Sequence, residues 1–444
     1  MGSFFDQFFR PLPPDIDLEA IRQAWQAIRP PYQINERQLP LPVWARRGLD
    51  ESGEQAWAVL SRDVVCLDVA KPFCIYVHIP FCAARCAFCD CYSFKLGQHQ
   101  GRHIETYLNL LDREMSLWSR QGNLGLRPVS TIHFGGGTPT FLGAEPFGRL
   151  AASCREYFRV GPQTEWALES TAFELNDSMF SVLDSLGFTR LHIGVQSLQD
   201  QVRRNINRRE PANVVLEKIA GAVSMGWIVS VDLIYGLPGQ SLEGLLNDIH
   251  TLAAAGVDGF SLYELQLSPH NRRFTEQHHL ANRDRLVDYF LFQAASQLLA
   301  FLGYRKTLFN HFARARDANL YFTFPERGED CLAVGTIADG VFGDYHYRHP
   351  EYKAYRSGVN ETFPGLQGGL RRNATENRLH PLEVSILSAR MQSGLFDDVL
   401  GKARAQGLFQ HWQEAVLIEK DKGGNLNLTA NGSWFAGEMM AQLV

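Results

Sequence analysis

The sequence predicts an α/β fold: a partial (β/α)6 barrel with an N-terminal wrap and a C-terminal winged-helix-like helical domain. Three observations predict it. From Phe73 to about residue 302, short β-branched and aromatic runs alternate with segments of helical periodicity. That order implies a parallel sheet with crossover helices, and about six units suit a curved partial barrel better than a small open sheet. The residues with the most chemistry follow the strands, and sites on such sheets lie at the C-terminal strand ends.

Residues 1–70 carry one expected helix, Leu18 to Ile28, among proline-rich connections, and are expected to form the wrap. The barrel occupies 71–302. Its expected strands are CIYVHI (from Cys74), STIHFGG (from Ser130), TEWALES (from Thr164), RLHIGVQS (from Arg190), IVSVDLIYG (from Ile228) and GFSLYELQL (from Gly259). Helices are expected over 103–121, 144–158, 175–186, 212–225, 241–255 and 283–302. In the first, Ile104, Tyr107, Leu108, Leu111 and Met115 fall on one face. Residues 303–375, rich in aromatics and glycine, are expected to be an irregular, substrate-covering connection. Residues 376–444 form the last domain: helices in PLEVSILSARM and VLGKARAQGLF, then a hairpin and a closing helix.

Composition narrows the function. The chain has 444 residues, enough for about two to three domains. It is 45% hydrophobic and 20% charged, as a globular protein with a large core should be. A net charge of −5 gives no electrostatic footprint for a nucleic-acid partner, and the winged-helix-like segment carries little positive charge. No apolar run approaches the ~18 residues of a membrane span. The N-terminus lacks the basic start and apolar core of a signal peptide, and Asp6 breaks the myristoylation pattern. Four of eight cysteines crowd into 82–91; Cys66, Cys74, Cys154 and Cys331 are scattered and expected to be core thiols. A reducing cytoplasm fits that usage better than a disulfide framework.

Cys82, Cys86 and Cys89 form a Cys-x3-Cys-x2-Cys run in the loop after the first strand. Three thiolates so close can hold three irons of a [4Fe–4S] cube and leave the fourth open, whereas an electron-transfer cluster takes four cysteines. An open metal position is the mark of a catalytic site. A zinc site would call for a second cysteine pair some distance away, which the sequence lacks.

Other motifs follow later strands. The glycines of GGGTPT (Gly135–Thr140) let backbone approach a ligand closely. Glu169 ends the third strand; as a site residue it would hold a cation, and as a surface residue it would simply be solvated. Gln196 and Arg208 lie in GVQSLQDQVRRNINRRE, where an arginine can fork onto a carboxylate, though neighbouring Arg203, Arg204 and Arg209 also suit a solvated face. Asp232 sits inside the apolar run VSVDLIYG, where a carboxylate is costly unless paired.

The cysteine run, with Phe88 before its last member, resembles the radical SAM superfamily. YVHIPFC, GGGTPT, GVQS, NRRE, DLIYGLPGQ, NHFA (from Asn310) and LTANG (from Leu428) further resemble the oxygen-independent coproporphyrinogen III oxidase family, over roughly residues 73–444. The resemblance implies a partial (β/α)6 barrel, a [4Fe–4S] cluster and S-adenosylmethionine (SAM), often two molecules. It makes Cys82, Cys86 and Cys89 the cluster ligands. Tyr76, Gly136, Gly137, Thr138, Glu169, Gln196, Arg208 and Asp232 would line the first SAM, with Ile234 and Gln266 near the second. Cys91 matches a fourth, non-ligating cysteine, and with Tyr76 would stand at the catalytic centre.

Two departures concern the reaction. Residues 1–70 lack the Arg-Tyr-Thr-Ser-Tyr-Pro-like run of the oxidases, and Asp90 replaces their glycine between the third and fourth cysteines. AGVDGFSLYELQLSP resembles a segment of haem-opening class C methyltransferases in the same family. The leading expectation is therefore C-methylation or methylene transfer onto a tetrapyrrole or other conjugated ring. The alternatives are oxidative decarboxylation of coproporphyrinogen III and haem delivery by a chaperone without turnover. Cys91 argues against the chaperone, which usually lacks it. The expected partners are the small-molecule substrate and an electron donor such as flavodoxin or ferredoxin. His311, Tyr263 and Arg371–Arg372 are candidate substrate contacts.

Overall fold

The computed structural model describes residues 2–11, 15–63, 68–96, 101–208, 210–421 and 424–444. Cys66 and Arg209 lie outside the described residues. Six parallel strands pair in sequence order: β1 (Phe73–Ile79), β2 (Val129–Gly136), β3 (Glu165–Ser170), β4 (Arg190–Gln196), β5 (Ile228–Tyr235) and β6 (Gly259–Glu264). Between them run α1 (Gly101–Ser119), α2 (Ala144–Tyr157), α3 (Asp177–Ser185), α4 (Ala212–Ser224) and α5 (Leu242–Ala254), and α6 (Arg285–Phe301) follows β6. These elements match the sequence expectations to within a few residues. Side chains with a hydrogen-bonding oxygen start three of the helices: Asn176 for α3, Ser241 for α5 and Asp284 for α6.

The alternation along each strand sorts core from lumen. In β2, Phe134 packs on Phe147 of α2, while His133 faces inward and stacks on Tyr321 at 4.4 Å. The inward residues toward the N-terminal ends of the strands form a buried polar network. Arg190 bridges Glu165 at 2.9 Å and Asp317 at 2.7 Å, all nearly solvent-free. His311 lies between Ser261 Oγ (3.0 Å) and Asp317 Oδ2 (2.9 Å). Both its ring nitrogens are engaged and it is 1% exposed, so His311 braces the barrel; this corrects its expected role as a substrate contact. Burial alone would raise the Asp317 carboxyl, but His311 and Arg190 hold it well below the usual carboxylate range. Removing one member of such a buried pair strands the other. Asp317→Ala should therefore destabilise the fold by about 3–5 kcal/mol in chemical denaturation.

Residues 303–375 are not irregular, and the sequence expectation is corrected here. They extend the sheet at both edges to thirteen strands. His311–Ala313 runs antiparallel to β6, and Asp330–Val334 runs parallel to β1. Asp339–Phe342, Tyr345–Arg348 and Gly368–Arg371 continue antiparallel, and Glu51–Ser52 adds an edge strand. These strands have five residues or fewer, too short to show a two-residue period against glycine-rich turns.

The N-terminal segment holds helices at Gly2–Phe8 and Gly53–Asp63 besides the expected one, which spans Leu18–Gln26. Phe5 and Phe9 pack on Phe290 of α6, and Trp57 sets its ring edge-on to Trp118 of α1 at 4.9 Å. The C-terminal region combines helices with a small sheet ordered Arg390–Met391, Leu426–Leu428, Ile418–Lys420. Its first helix starts at Ala374, earlier than expected, because Asn373 and Glu376 form a capping box there. The run VLGKARAQGLF is not one helix. Gly401, at φ +83°, ends Ser393–Leu400 and starts Lys402–Glu414. Cys74, Cys154 and Cys331 are buried, as core thiols should be. Among the described residues no helix is long and apolar enough to cross a membrane.

Candidate active site

The cysteine loop leaves β1 and returns to the same rim, because Phe81–Cys82 pairs with Phe94–Lys95. Neighbouring strand tops brace it. Asn207 Nδ2 donates to the Arg85 carbonyl and Asn271 Nδ2 to the Phe88 carbonyl, both at 2.9 Å. The Ala87 amide donates to the Ile206 carbonyl at 3.1 Å. Ala87 and Phe88 pack on an apolar cluster that includes Ile206, Ile234 and Leu265. Asp90 accepts a hydrogen bond from the Ser268 hydroxyl, a clasp that glycine at this position cannot make.

GGGTPT lies against this loop. A Cβ on Gly137 would stand 3.0 Å from Cys82 Sγ and 2.7 Å from the Phe81 carbonyl oxygen, so only glycine fits without displacing them. The Thr138 hydroxyl donates to Cys82 Sγ at 3.6 Å. Burial raises the Cys82 and Cys86 thiols. The Cys91 thiol donates to Cys89, which brings Cys89 down to about 6 and raises Cys91. Among the described residues no three of His, Cys, Asp and Glu are gathered tightly enough to enclose a metal ion. The three thiols nevertheless lie in one braced loop, near enough to act on each other electrostatically, with a glycine cradle beside them. That donor set, sulfur-only and one short of four, fits a [4Fe–4S] cluster with an open iron.

Below the loop the upper lumen is lined by the expected residues. The Glu169 carboxylate joins His133 Nε2 (3.0 Å) to the Gly136 amide (3.2 Å). A Cβ on Gly135 would meet Glu169 and Tyr76, each at 2.8 Å. Gly136 sits at φ +110° with the His78 ring 2.5 Å from where its Cβ would be. Gly136→Ala should therefore tilt the Glu169 carboxylate and cut SAM cleavage at least tenfold, read as 5′-deoxyadenosine formed per minute. Gln196, at φ +69°, and Arg208 fold over Gly194, whose missing Cβ makes room for both side chains. Arg208 Nε and Gln196 Oε1 are buried without a partner, as expected of groups placed for a ligand.

Asp232 faces the same space. Burial pushes its carboxyl up to about 7; nearby Glu169 adds to the rise, while Ser261 and Arg208 oppose it. Tyr76 donates to or accepts from His78 Nδ1 at 3.1 Å. Cys91 lies close enough to act electrostatically on both Tyr76 and Tyr263. Two carboxylates facing one arginine suit a ligand that is cationic at a sulfonium and ammonium and anionic at a carboxylate. Ile234 is buried in the apolar cluster under the loop. Gln266 is exposed beyond β6, its carbonyl accepting from Asn271 at 2.8 Å.

Two expected contacts stand elsewhere, and one residue of the site escapes the sequence reading. Arg371 is on the surface, ion-paired with Asp63 and Asp344, and Arg372 lines a different cavity. His133, which fixes Glu169, was missed; in STIHFGG it shares a face with Gly135, so alternation alone points to it.

Residues 76–252 match the sequence profile of the Radical SAM superfamily. The barrel is a radical SAM domain. Its cofactors are a [4Fe–4S] cluster and SAM. The chain is 29% identical over 338 residues to oxygen-independent coproporphyrinogen III oxidase of Escherichia coli K12, 72% of each protein. It is 26% identical over 383 residues to anaerobilin synthase of Escherichia coli O157:H7, 83% of each. The solved coproporphyrinogen III oxidase of Escherichia coli superposes with a TM-score of 0.76 at 24% identity, covering 89% of this chain and 94% of that one, so the two share a fold. The chain is thus similar to coproporphyrinogen III oxidase in sequence and shares its fold.

Proposed function

We propose that this radical SAM enzyme acts on a tetrapyrrole, transferring a SAM-derived methyl or methylene group to a ring carbon and using two SAM molecules. The observation that carries the reading is the upper lumen itself, where Cys91 and Tyr263 stand beside Tyr76, Glu169 and Asp232 in one space. A relative aligned over 83% of the chain is an anaerobilin synthase, which supports a tetrapyrrole-type substrate.

Cys82, Cys86 and Cys89 would hold the [4Fe–4S] cluster, which when bound would supply one-electron reductive cleavage of SAM. The protein residues do the rest by placement. Glu169, fixed by His133 and the Gly136 amide, receives the SAM ammonium, and Arg208 receives its carboxylate. Asp232 and Gln196 complete that first site with Thr138 and Gly137. Ile234 and Gln266 lie toward the second SAM. The closed floor under the lumen keeps water from the reacting carbon. Cys91, not a ligand in this scheme, stands beside Tyr76 and Tyr263 on the substrate side of the loop. The reductant is a flavodoxin or ferredoxin, and the compartment a reducing cytoplasm.

SAM labelled in its methyl group tests the reading. Label recovered in the tetrapyrrole product supports it. Carbon dioxide released from coproporphyrinogen III with no label transferred would move the assignment to the oxidase. Cys91→Ala should keep SAM cleavage but lower labelled product at least tenfold.

A further inference from the structure

A second cavity, of about 890 Å3, lies at the opposite end of the barrel. Asp330, on its wall, pairs in register with Phe73, the first residue of β1, whereas the cysteines follow the last. Tyr321 and Phe322 divide it from the lumen. Tyr321 stacks on His133 at 4.4 Å and on Tyr76 at 5.1 Å, closing the barrel floor. No residue of the proposed SAM site lines this cavity.

Among the described residues, four carboxylates line it. Glu329 and Asp330 are neutralised by Arg327 and Arg127, and Glu383 accepts from the Val43 amide, with Glu326 beside them. The rest of the wall is of two kinds. One side is aromatic, with Phe309, Tyr321, Phe322 and Phe324. The other gathers nitrogen donors. Arg372 is 8% exposed; its Nη2 donates to the Gly343 carbonyl at 2.8 Å, but Nε and Nη1 are buried without partners. Trp44 stacks on His346 at 3.7 Å, and Trp44 Nε1 and His346 Nε2 are likewise buried without partners. His380 Nδ1 makes no hydrogen bond; Glu383 Oε2 is 3.8 Å away, and the other Glu383 oxygen accepts from the Val43 amide. Buried polar groups in native proteins almost always have partners, so the three open donors on Arg372 and Trp44, with the two imidazole nitrogens beside them, call for a ligand that carries acceptor groups.

We propose that this cavity is an accessory binding site for a planar polycyclic compound bearing a carboxylate or similar anion. The anion meets Arg372 and Trp44, and the rings lie along Tyr321, Phe322 and Phe324. The volume lies near the top of the usual ~300–1,000 Å3 range, so it admits several fused or linked rings. The ligand class follows from these walls; the choice of a tetrapyrrole as a probe rests on the function proposed above.

The full chain, with Cys82, Cys86 and Cys89 all changed to Ser to remove cluster-dependent binding, is titrated by fluorescence. The probes are coproporphyrin III and, separately, 8-anilinonaphthalene-1-sulfonate. The site predicts saturable binding of one sulfonate per chain, and of one coproporphyrin III per chain beyond any that the lumen takes. Arg372→Gln should weaken it about tenfold or more, the loss of one charge-assisted hydrogen bond. Val384→Trp, which fills the cavity from its helical wall, should abolish it while the unfolding transition stays cooperative. Binding of the sulfonate alone, still dependent on Arg372 and Val384, supports the site while removing support for a tetrapyrrole ligand. Binding of both probes unchanged in both variants, or no binding of either probe, overturns the inference.

Discussion

Replacing Cys82, Cys86 and Cys89 together by Ala abolishes the cluster absorbance of the reconstituted enzyme and its SAM cleavage, whereas replacing Cys91 leaves the iron content intact. The asymmetry follows from position. The first three thiols lie in the segment braced by Asn207, Asn271 and the Ile206 carbonyl. Cys91 lies past the Asp90–Ser268 clasp and is exposed toward the lumen. Any single change among the three leaves two sulfurs for a cube that needs at least three protein ligands here. A four-iron cluster persisting in the triple variant would refute the ligand assignment.

Asp232→Asn raises the KM for SAM by about 10- to 150-fold, the loss of a charged hydrogen bond of roughly 1.5–3 kcal/mol. The pH dependence has a definite sign. Burial lifts the Asp232 carboxyl from its ordinary value to about 7. In the ligand-free protein it is protonated below that pH, and the folded state then holds a proton that the unfolded chain releases. Its contribution to stability is therefore complete below the ordinary carboxylate range and falls as pH rises to about 7. SAM binding runs the other way. A cationic ligand favours the ionised carboxylate, so apparent affinity should improve as pH rises through 7 in the wild type and lose that slope in Asp232→Asn. Affinity measured by equilibrium dialysis from pH 6 to 8 checks both. An identical slope in the variant would remove Asp232 from the site.

The barrel was legible because each unit carries two independent signals. In STIHFGG the alternation marks the strand and the glycines mark its end; in the following segment the helical period marks the crossover. Nothing comparable marks residues 303–375. Strands such as Tyr345–Arg348 have four residues and take their partners from distant segments, so local pattern cannot reveal them. Candidate positions stand out in the sequence where chemistry and spacing coincide, at the cysteines and at Asp232 in an apolar run. A residue's place was not legible where its role depends on a partner far along the chain. His311 reads as a ligand candidate until Asp317 and Ser261 are placed beside it. Arg372 and Trp44 are 328 positions apart in sequence and line one cavity only because the N-terminal segment joins the sheet at its edge.

One measurement tests the central claim most directly. The anaerobic, reconstituted and reduced enzyme is given SAM with haem or coproporphyrinogen III, and all small-molecule products are quantified by mass spectrometry. The account predicts 5′-deoxyadenosine together with S-adenosylhomocysteine, and a tetrapyrrole product that carries the added carbon. Tight haem binding with no SAM cleavage, or 5′-deoxyadenosine with decarboxylation and no S-adenosylhomocysteine, would contradict it.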